Sequence, residues 1–339
     1  MTLETQVTID PLLALTKDIR EAASLLSVKE ARFLVDYYYV TQEDRKRSSN
    51  QVRSVSLDAE DQEPHLVLDW LAANTSTLER NIQRALGAYS QGHPVGRWAE
   101  SIIGIGPVIS AGLLAHIDIE QAPTVGHIWR FAGLDPTQEW KGKVLATEAV
   151  KKYLGDKSAP TVEDVYALAE QMAGLKAESV LSLATSNKDG TERKLTKETL
   201  ASALAVRPYN AKLKTLCWKI GESFVKVSNN SEDIYGHVYA ERKAQETARN
   251  EDYYYAKQAE AIIEKKRIGK TTDAYKAYSQ GKLPPAHIHA RAKRWAVKLF
   301  LAHWHHVAYE IRYDAPPPKP YILNQEGHTH YIAPPNWGV

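Results

Sequence analysis

Apolar residues along this chain recur at helical spacing. Between Pro64 and Tyr89, the positions Leu71, Leu78, Ile82 and Leu86 follow one another at seven, four and four residues, which on a 3.6-residue repeat forms one stripe. Glu79, Arg80 and Arg84 are assigned to the other faces. The segment reads as one long helix of coiled-coil type, a surface suited to homo-oligomer formation. Upstream, Leu12 to Tyr39 predicts one or two helices, with Asp10 as cap and Pro11 at a first helical position. Thr41 to Glu63 is polar, charged and aperiodic, and reads as a linker or mobile loop.

Beyond the long helix comes a short glycine-rich segment, Trp98 to Asp135, and then Val144 to Val206, which reads as an inserted helical module. Thr161-Val-Glu-Asp164 resembles a capping box, with Asp in place of the usual Glu. Gly174 interrupts the pattern, Asn187 to Gly190 is a turn, and Thr196 caps a helix through Ala205. Helices are predicted over Asn210 to Val227, Ile234 to Lys266 and Pro285 to about Tyr313. Ala315 to Pro320 is an extended polyproline linker, and Tyr321 to Trp337 reads as a small hairpin around Gly327. The predicted fold is mainly α: a long coiled-coil-like helix, a helix-hairpin-helix module and a long C-terminal helix. The expected divisions are 1–62, 63–143, 144–206, 207–314 and 315–339.

Composition adds few constraints. With 43% hydrophobic and 25% charged residues the chain has enough apolar material for a core. Net charge is only +2, so a polyanion must be met by a local patch, since attraction is screened within about 8 Å at physiological salt. Cys217 is the single cysteine, which excludes an intramolecular disulfide and fits a reducing, cytoplasmic setting. Residues 1–10 lack the pattern of a signal peptide, and no apolar run approaches the ~20 residues of a membrane helix.

The densest chemical signal is Ser101-Ile-Ile-Gly-Ile-Gly-Pro-Val108. A short helix ending at Ile102 is followed by a tight glycine bend, and Pro107 suits the first turn of the next helix. Without side chains at Gly104 and Gly106, main-chain N–H groups can approach a phosphate, and the helix N-terminus adds partial positive charge. Gly104, Ile105, Gly106 and Val108 are therefore candidate DNA contacts that read backbone rather than base sequence. The alternative is a plain glycine turn between two core helices.

The stretch IIGIGPVISAGLLAHID, followed after a gap by WRFAGLDPTQEWKGK, resembles the C-terminal domain of insertion-sequence transposases of the 116/110/902 group. In that family a coiled-coil helix leads into a Pro-Gly-Ile-Gly-Pro hairpin, then a Gly-Leu-x-Pro segment, a basic helix start and a long last helix. Here Leu71 to Leu86, Phe131 to Pro136, Arg207 to Lys214 and His287 to Tyr313 take those places, with Ile103 where the hairpin's first proline would stand. The resemblance implies a DNA-binding protein of a phage or other mobile element, or of its host, that assists or regulates recombination, transposition or replication. Family members cut DNA with a RuvC-like acidic domain and a serine in a Ser-Gly-Gly context. Gln138 to Lys143 contains no serine, and only linker-like or helical sequence precedes the long helix, so family-type cleavage is not expected. The competing reading is an active recombinase or nuclease with another nucleophile, a tyrosine or a serine such as Ser223.

Basic residues supply further DNA candidates. His287, Arg291, Arg294 and Lys298 fall on one face of the last helix, opposite Ile288, Ala292, Trp295, Leu299 and Ile311. Lys212 and Lys214 lie near a helix start, and Lys141 and Lys143 follow the hairpin module. Each such stripe is also what a solvated helix face looks like. The expected partner is DNA, with RNA compatible with the same chemistry; no cofactor and no metal is implied. Val165 to Leu181 has the rhythm of a helix-turn-helix that would present Lys176, Glu178 and Ser179. His287-Ile-His289 spells a metal motif, but on a helix positions two apart diverge by about 200°. His303, His305 and His306 lack an obvious third ligand, and the tyrosines at 37–39 and 253–255 read as core and interface residues.

Overall fold

Caps and apolar stripes divide the chain into a succession of helices, seen in a computed structural model that describes residues 14–58, 66–171, 175–318 and 332–338. In chain order these are α1 Lys17–Ala22, α2 Val28–Asp58, α3 Leu66–Gln91, α4 Pro94–Glu100, α5 Pro107–His116, α6 Val125–Phe131, α7 Gly142–Leu154, α8 Val162–Glu170, α9 Ala177–Thr185, α10 Lys197–Leu204, α11 Ala211–Val227, α12 Tyr235–Glu251, α13 Ala256–Lys265, α14 Asp273–Ser279 and α15 Pro285–Tyr313. The fold is mainly α. Among the described residues the one extended pairing is the isolated bridge between Ser186 and Glu192, which closes the turn over Asn187 to Gly190.

The polar stretch expected to be a linker is helical as far as Asp58. Its sequence conceals this because α2 meets α3 partly through polar groups. The Thr41 hydroxyl donates to the Tyr37 carbonyl at 2.9 Å, and Ser48 to that of Asp44 at 2.6 Å. Ser48 also touches Thr75, and Arg45 pairs with Glu79. Glu79, assigned to an outer face, is accordingly buried. The later part of the α3 stripe finds its cover within the chain, where Ile82, Leu86 and Tyr89 pack on Ala31, Val35 and Tyr38 of α2 and on Val108 and Ala111 of α5, whereas Leu71 is exposed.

The central core collects Trp98, Ile102, Ile105 and Leu113 around the hairpin, with Leu213, Ile220 and Phe224 of α11 and Phe300, Trp304 and Val307 of α15. Trp98 stacks on Phe300 at 5.9 Å between centroids, and Phe224 meets Phe300 edge-on at 5.6 Å. The buried arc of α15 runs through Ala292, Ala296, Phe300 and Val307; Trp295 and Ile311, expected on it, are exposed. A second apolar cluster draws all its members from residues 146–205, in α7 to α10 and the turns between them. Thr161 and Asp164 form the expected capping box, and Thr196 forms another with Thr199.

The predicted helix over Ile234 to Lys266 is two helices. It breaks at an elbow where Tyr253 takes φ 57°, a left-handed conformation rare for an aromatic residue. At the far end, residues 332–338 return to the body. Trp98 Nε1 donates to the Pro335 carbonyl at 2.7 Å, Asn336 Nδ2 to that of Ser101 at 3.1 Å, and Trp337 Nε1 to Glu310 at 2.6 Å. The Asp10–Pro11 cap, Gly174 and the hairpin around Gly327 lie outside the described residues.

Candidate nucleic-acid interface

The hairpin opens where α4 ends and Ile105 N bonds back to the Ile102 carbonyl at 3.0 Å. Gly104 sits at φ +91°, a conformation only glycine adopts without strain. Its carbonyl accepts the Ser223 hydroxyl at 2.5 Å, and a Cβ here would lie 3.1 Å from Val227. This glycine seats the bend on α11. Gly106 is different. It is the N-cap of α5, has ordinary φ −96°, and no atom lies within 4 Å of where its Cβ would be. Pro107 occupies the first helical position as expected, and no side chain caps the helix, so the Val108 and Ile109 amides are left at the open end. The side chains of Ile105 and Val108 are buried, leaving only their main chain for a ligand.

The bend faces a groove of about 420 Å³, walled by Tyr38, Tyr39, Gln42 and Lys46 of α2 and by Trp218, Lys219, Glu222, Ser223 and Lys226 of α11. The Lys219 ammonium lies 3.8 Å over the Tyr39 ring, and burial together with Lys46 pushes its pKa below the usual lysine value. Glu222 is neutralised by Lys293, and Lys46 pairs with Glu43 at 2.8 Å. Lys226 is exposed and makes no ion pair among the described residues. The Ser223 hydroxyl points its proton at a main-chain carbonyl rather than at a base, which makes it a tie between hairpin and α11.

The other basic candidates divide sharply. Arg291 is bound internally: its Nε donates to Glu246 at 2.9 Å and its guanidinium lies 4.6 Å over the Tyr255 ring. Burial pushes the Glu246 pKa up, but the Tyr255 hydroxyl, Arg291 and Arg242 outweigh it and leave the carboxyl below its ordinary value. Lys212 is paired with Asp36. Lys141 reaches the Gln171 carbonyl at 3.3 Å, and Lys143 projects into solvent. Lys298 lies 4.3 Å over Trp129, and burial next to Arg294 lowers its pKa against the opposing pull of Asp135. Lys214 lies 4.0 Å over Tyr209, and Arg207 lies 4.6 Å over Trp140. These last residues are neighbours: Asn210 N bonds the Phe131 carbonyl at 2.8 Å, and Trp140 Nε1 bonds that of Ala205 at 2.8 Å. These contacts tie Lys298 to α6, and Lys214 and Arg207 to the segment that follows α6, although the three are far apart in sequence.

Lys46, Lys219, Lys226 and Arg130 were not singled out from the sequence, and Arg207 was named only as the start of the basic segment through Lys214. The seven-residue recurrence Lys212, Lys219, Lys226 was a usable signal for one face of α11. Lys46 was hidden by the linker reading. Every histidine considered for metal has its own partner: His287 with Tyr278, His289 with Tyr239, His303 with Tyr235, His305 with the Ala122 carbonyl and His306 with Glu310. Tyr38 and Tyr255 are core residues, whereas Tyr253 and Tyr254 are exposed. Lys176, Glu178 and Ser179 are exposed around the start of α9.

A glycine bend joins α4 to α5 and is braced by α11 and α15 in a mainly α protein. Residues 97–154 match the family model of the IS116/IS110/IS902 transposases. The match begins within α4, takes in the hairpin, α5 and α6, and stops at the last residue of α7. No curated protein and no solved structure matches the chain. No helix among the described residues is long and apolar enough to cross a membrane.

Proposed function

We propose that this is a DNA-binding protein related to a transposase C-terminal domain, gripping the DNA backbone without sequence preference at the hairpin and assisting or regulating recombination, transposition or replication. The observation behind this reading is the open Gly106 cap facing a groove rimmed by Lys46, Lys219 and Lys226. Amides at the start of α5 suit a phosphate oxygen, and the lysines supply the long-range attraction. The match over residues 97–154 supports the link to mobile-element chemistry.

The decisive substitution is Gly106→Glu. It adds bulk and negative charge at an unstrained position, so the fold survives while a phosphate is repelled. Affinity for duplexes of unrelated sequence should fall together, by on the order of tenfold or more, the size of one charge-assisted contact. A folded variant that binds duplex as tightly as wild type removes the reading. Incubation with supercoiled plasmid and Mg²⁺ or Mn²⁺ tests the rival: metal-dependent nicking, or a trapped phosphoseryl or phosphotyrosyl link, would make the protein a recombinase or nuclease.

A further inference from the structure

A second surface, separate from the groove, has a different chemistry. It is formed by the end of α6, the segment leading to α7, the approach to α11 and the outer arc of α15. Phe131, Trp140 and Trp295 are 44%, 44% and 46% exposed here. Cations sit against the rings around them: Arg207 over Trp140, Lys298 over Trp129, and Arg242 over Trp295 at 4.4 Å.

Trp140 and Trp129 are held in place by hydrogen bonds, and Trp140, Phe131 and Trp295 remain partly exposed. Trp140 is tethered through its indole N–H to the Ala205 carbonyl, and Trp129 through its own to Lys298 at 3.1 Å. Gly133, at φ +65°, lets the chain pass so close that a Cβ would lie 2.8 Å from the Tyr209 ring. Arg242 is fixed by the buried Glu246 at 2.6 Å. The acids of this stretch are Glu139 and Asp135, and the latter has Arg130 at 3.8 Å. Positive charge therefore dominates a face of oriented, solvent-facing aromatics.

A duplex hides the faces of its bases and offers such rings nothing to stack on, whereas an unpaired strand offers both bases and phosphates. We propose that this face binds single-stranded DNA, with bases stacking on Trp140, Phe131 and Trp295 while Arg294, Lys298, Arg207 and Lys214 follow the phosphates. It does not depend on the hairpin site: along α11, Lys214 lies about 18 Å from Lys226, taking 1.5 Å per residue.

The test compares fluorescence anisotropy of the full-length protein with labelled oligo-dT and with a duplex of equal length. Phe131→Ala combined with Trp140→Ala should weaken oligo-dT binding at least about tenfold, as loss of base stacking does, and leave duplex affinity within about twofold. Gly106→Glu should do the reverse. A 2-aminopurine placed in the strand should be quenched by wild type and much less by the double variant. Should loss of the Trp140 tether unfold the protein, Trp295→Ala asks the same question at a ring on another helix. Equal losses for strand and duplex, or unchanged strand binding by a folded variant, overturn the proposal while leaving the hairpin reading to its own test.

Discussion

The hairpin groove and the outer arc of α15 both present positive charge, but they hold it by different means. In the groove the open groups are main-chain amides, and they depend on what is missing: a side chain at Gly106 and a cap on α5. On α15 the groups are side chains whose availability is decided by neighbours. Arg291 and Arg294 lie three residues apart on one helical face, yet Arg291 closes a buried network with Glu246 while Arg294 remains exposed. A stripe of cations thus contains both internally paired and solvent-exposed members, and only packing tells them apart.

The largest effect is expected at Glu246. Replacing it with Ala leaves Arg242 and Arg291 uncompensated beside a buried site, which should cost about 3–5 kcal/mol in urea denaturation. A loss below about 1 kcal/mol would mean that the carboxylate does not organise this part of α15.

The inward side of α15 gives the next effect. His303 is buried between the Tyr235 hydroxyl at 2.6 Å and the Ile332 carbonyl at 2.8 Å, and burial lowers its pKa from 6.5 to about 4. The carbonyl can only accept, so Nε2 carries the proton and Nδ1 receives the tyrosine's. The unfolded chain takes up the extra proton more readily, so this contribution is complete above pH 6.5 and is lost as pH falls toward about 4. The loss should reach roughly 3 kcal/mol, and His303→Gln should flatten that limb of the stability profile.

Smaller, and aimed at the hairpin itself, is the contrast of Gly104→Ala with Gly106→Ala. The first forces a Cβ into a left-handed residue 3.1 Å from Val227 and should cost about 1–3 kcal/mol. The second should change stability by less than about 0.5 kcal/mol. Similar values for both would show that the two glycines share one role.

The smallest effect is also the most selective. Lys226→Ala should reduce the slope of log affinity against log salt by about 0.9 on duplex, and Arg294→Ala should reduce it by about 0.7 on oligo-dT. Arg291→Ala should lower stability and leave both slopes unchanged. A changed slope for Arg291→Ala would return the whole stripe to ligand contact.

Local rules made much of the fold readable. Thr161, Thr196 and Pro107 announce their helices because a cap or an N1 proline acts within one turn. The glycine bend was legible for the same reason. Where helices meet through polar contacts, the pattern misled: Ser48, Arg45 and Glu79 look like solvated residues until α2 and α3 are paired. The groove was invisible beforehand because Lys46 and Lys226 converge only through tertiary packing. The break at Tyr253 carried no glycine or proline to mark it.

The docked segment at residues 332–338 also bears on the order in which the chain matures during synthesis. Trp98 finds its hydrogen-bond acceptor 237 residues later, and its stacking partner Phe300 arrives almost as late. The cluster drawn from residues 146–205 needs nothing downstream. On a ribosome that cluster can close while α4 and the hairpin still wait for α15 to emerge, so their apolar faces remain open to other proteins through most of translation. The part that would hold DNA is then the last to be finished, and a chain truncated before α15 would carry a folded insert on an unassembled frame.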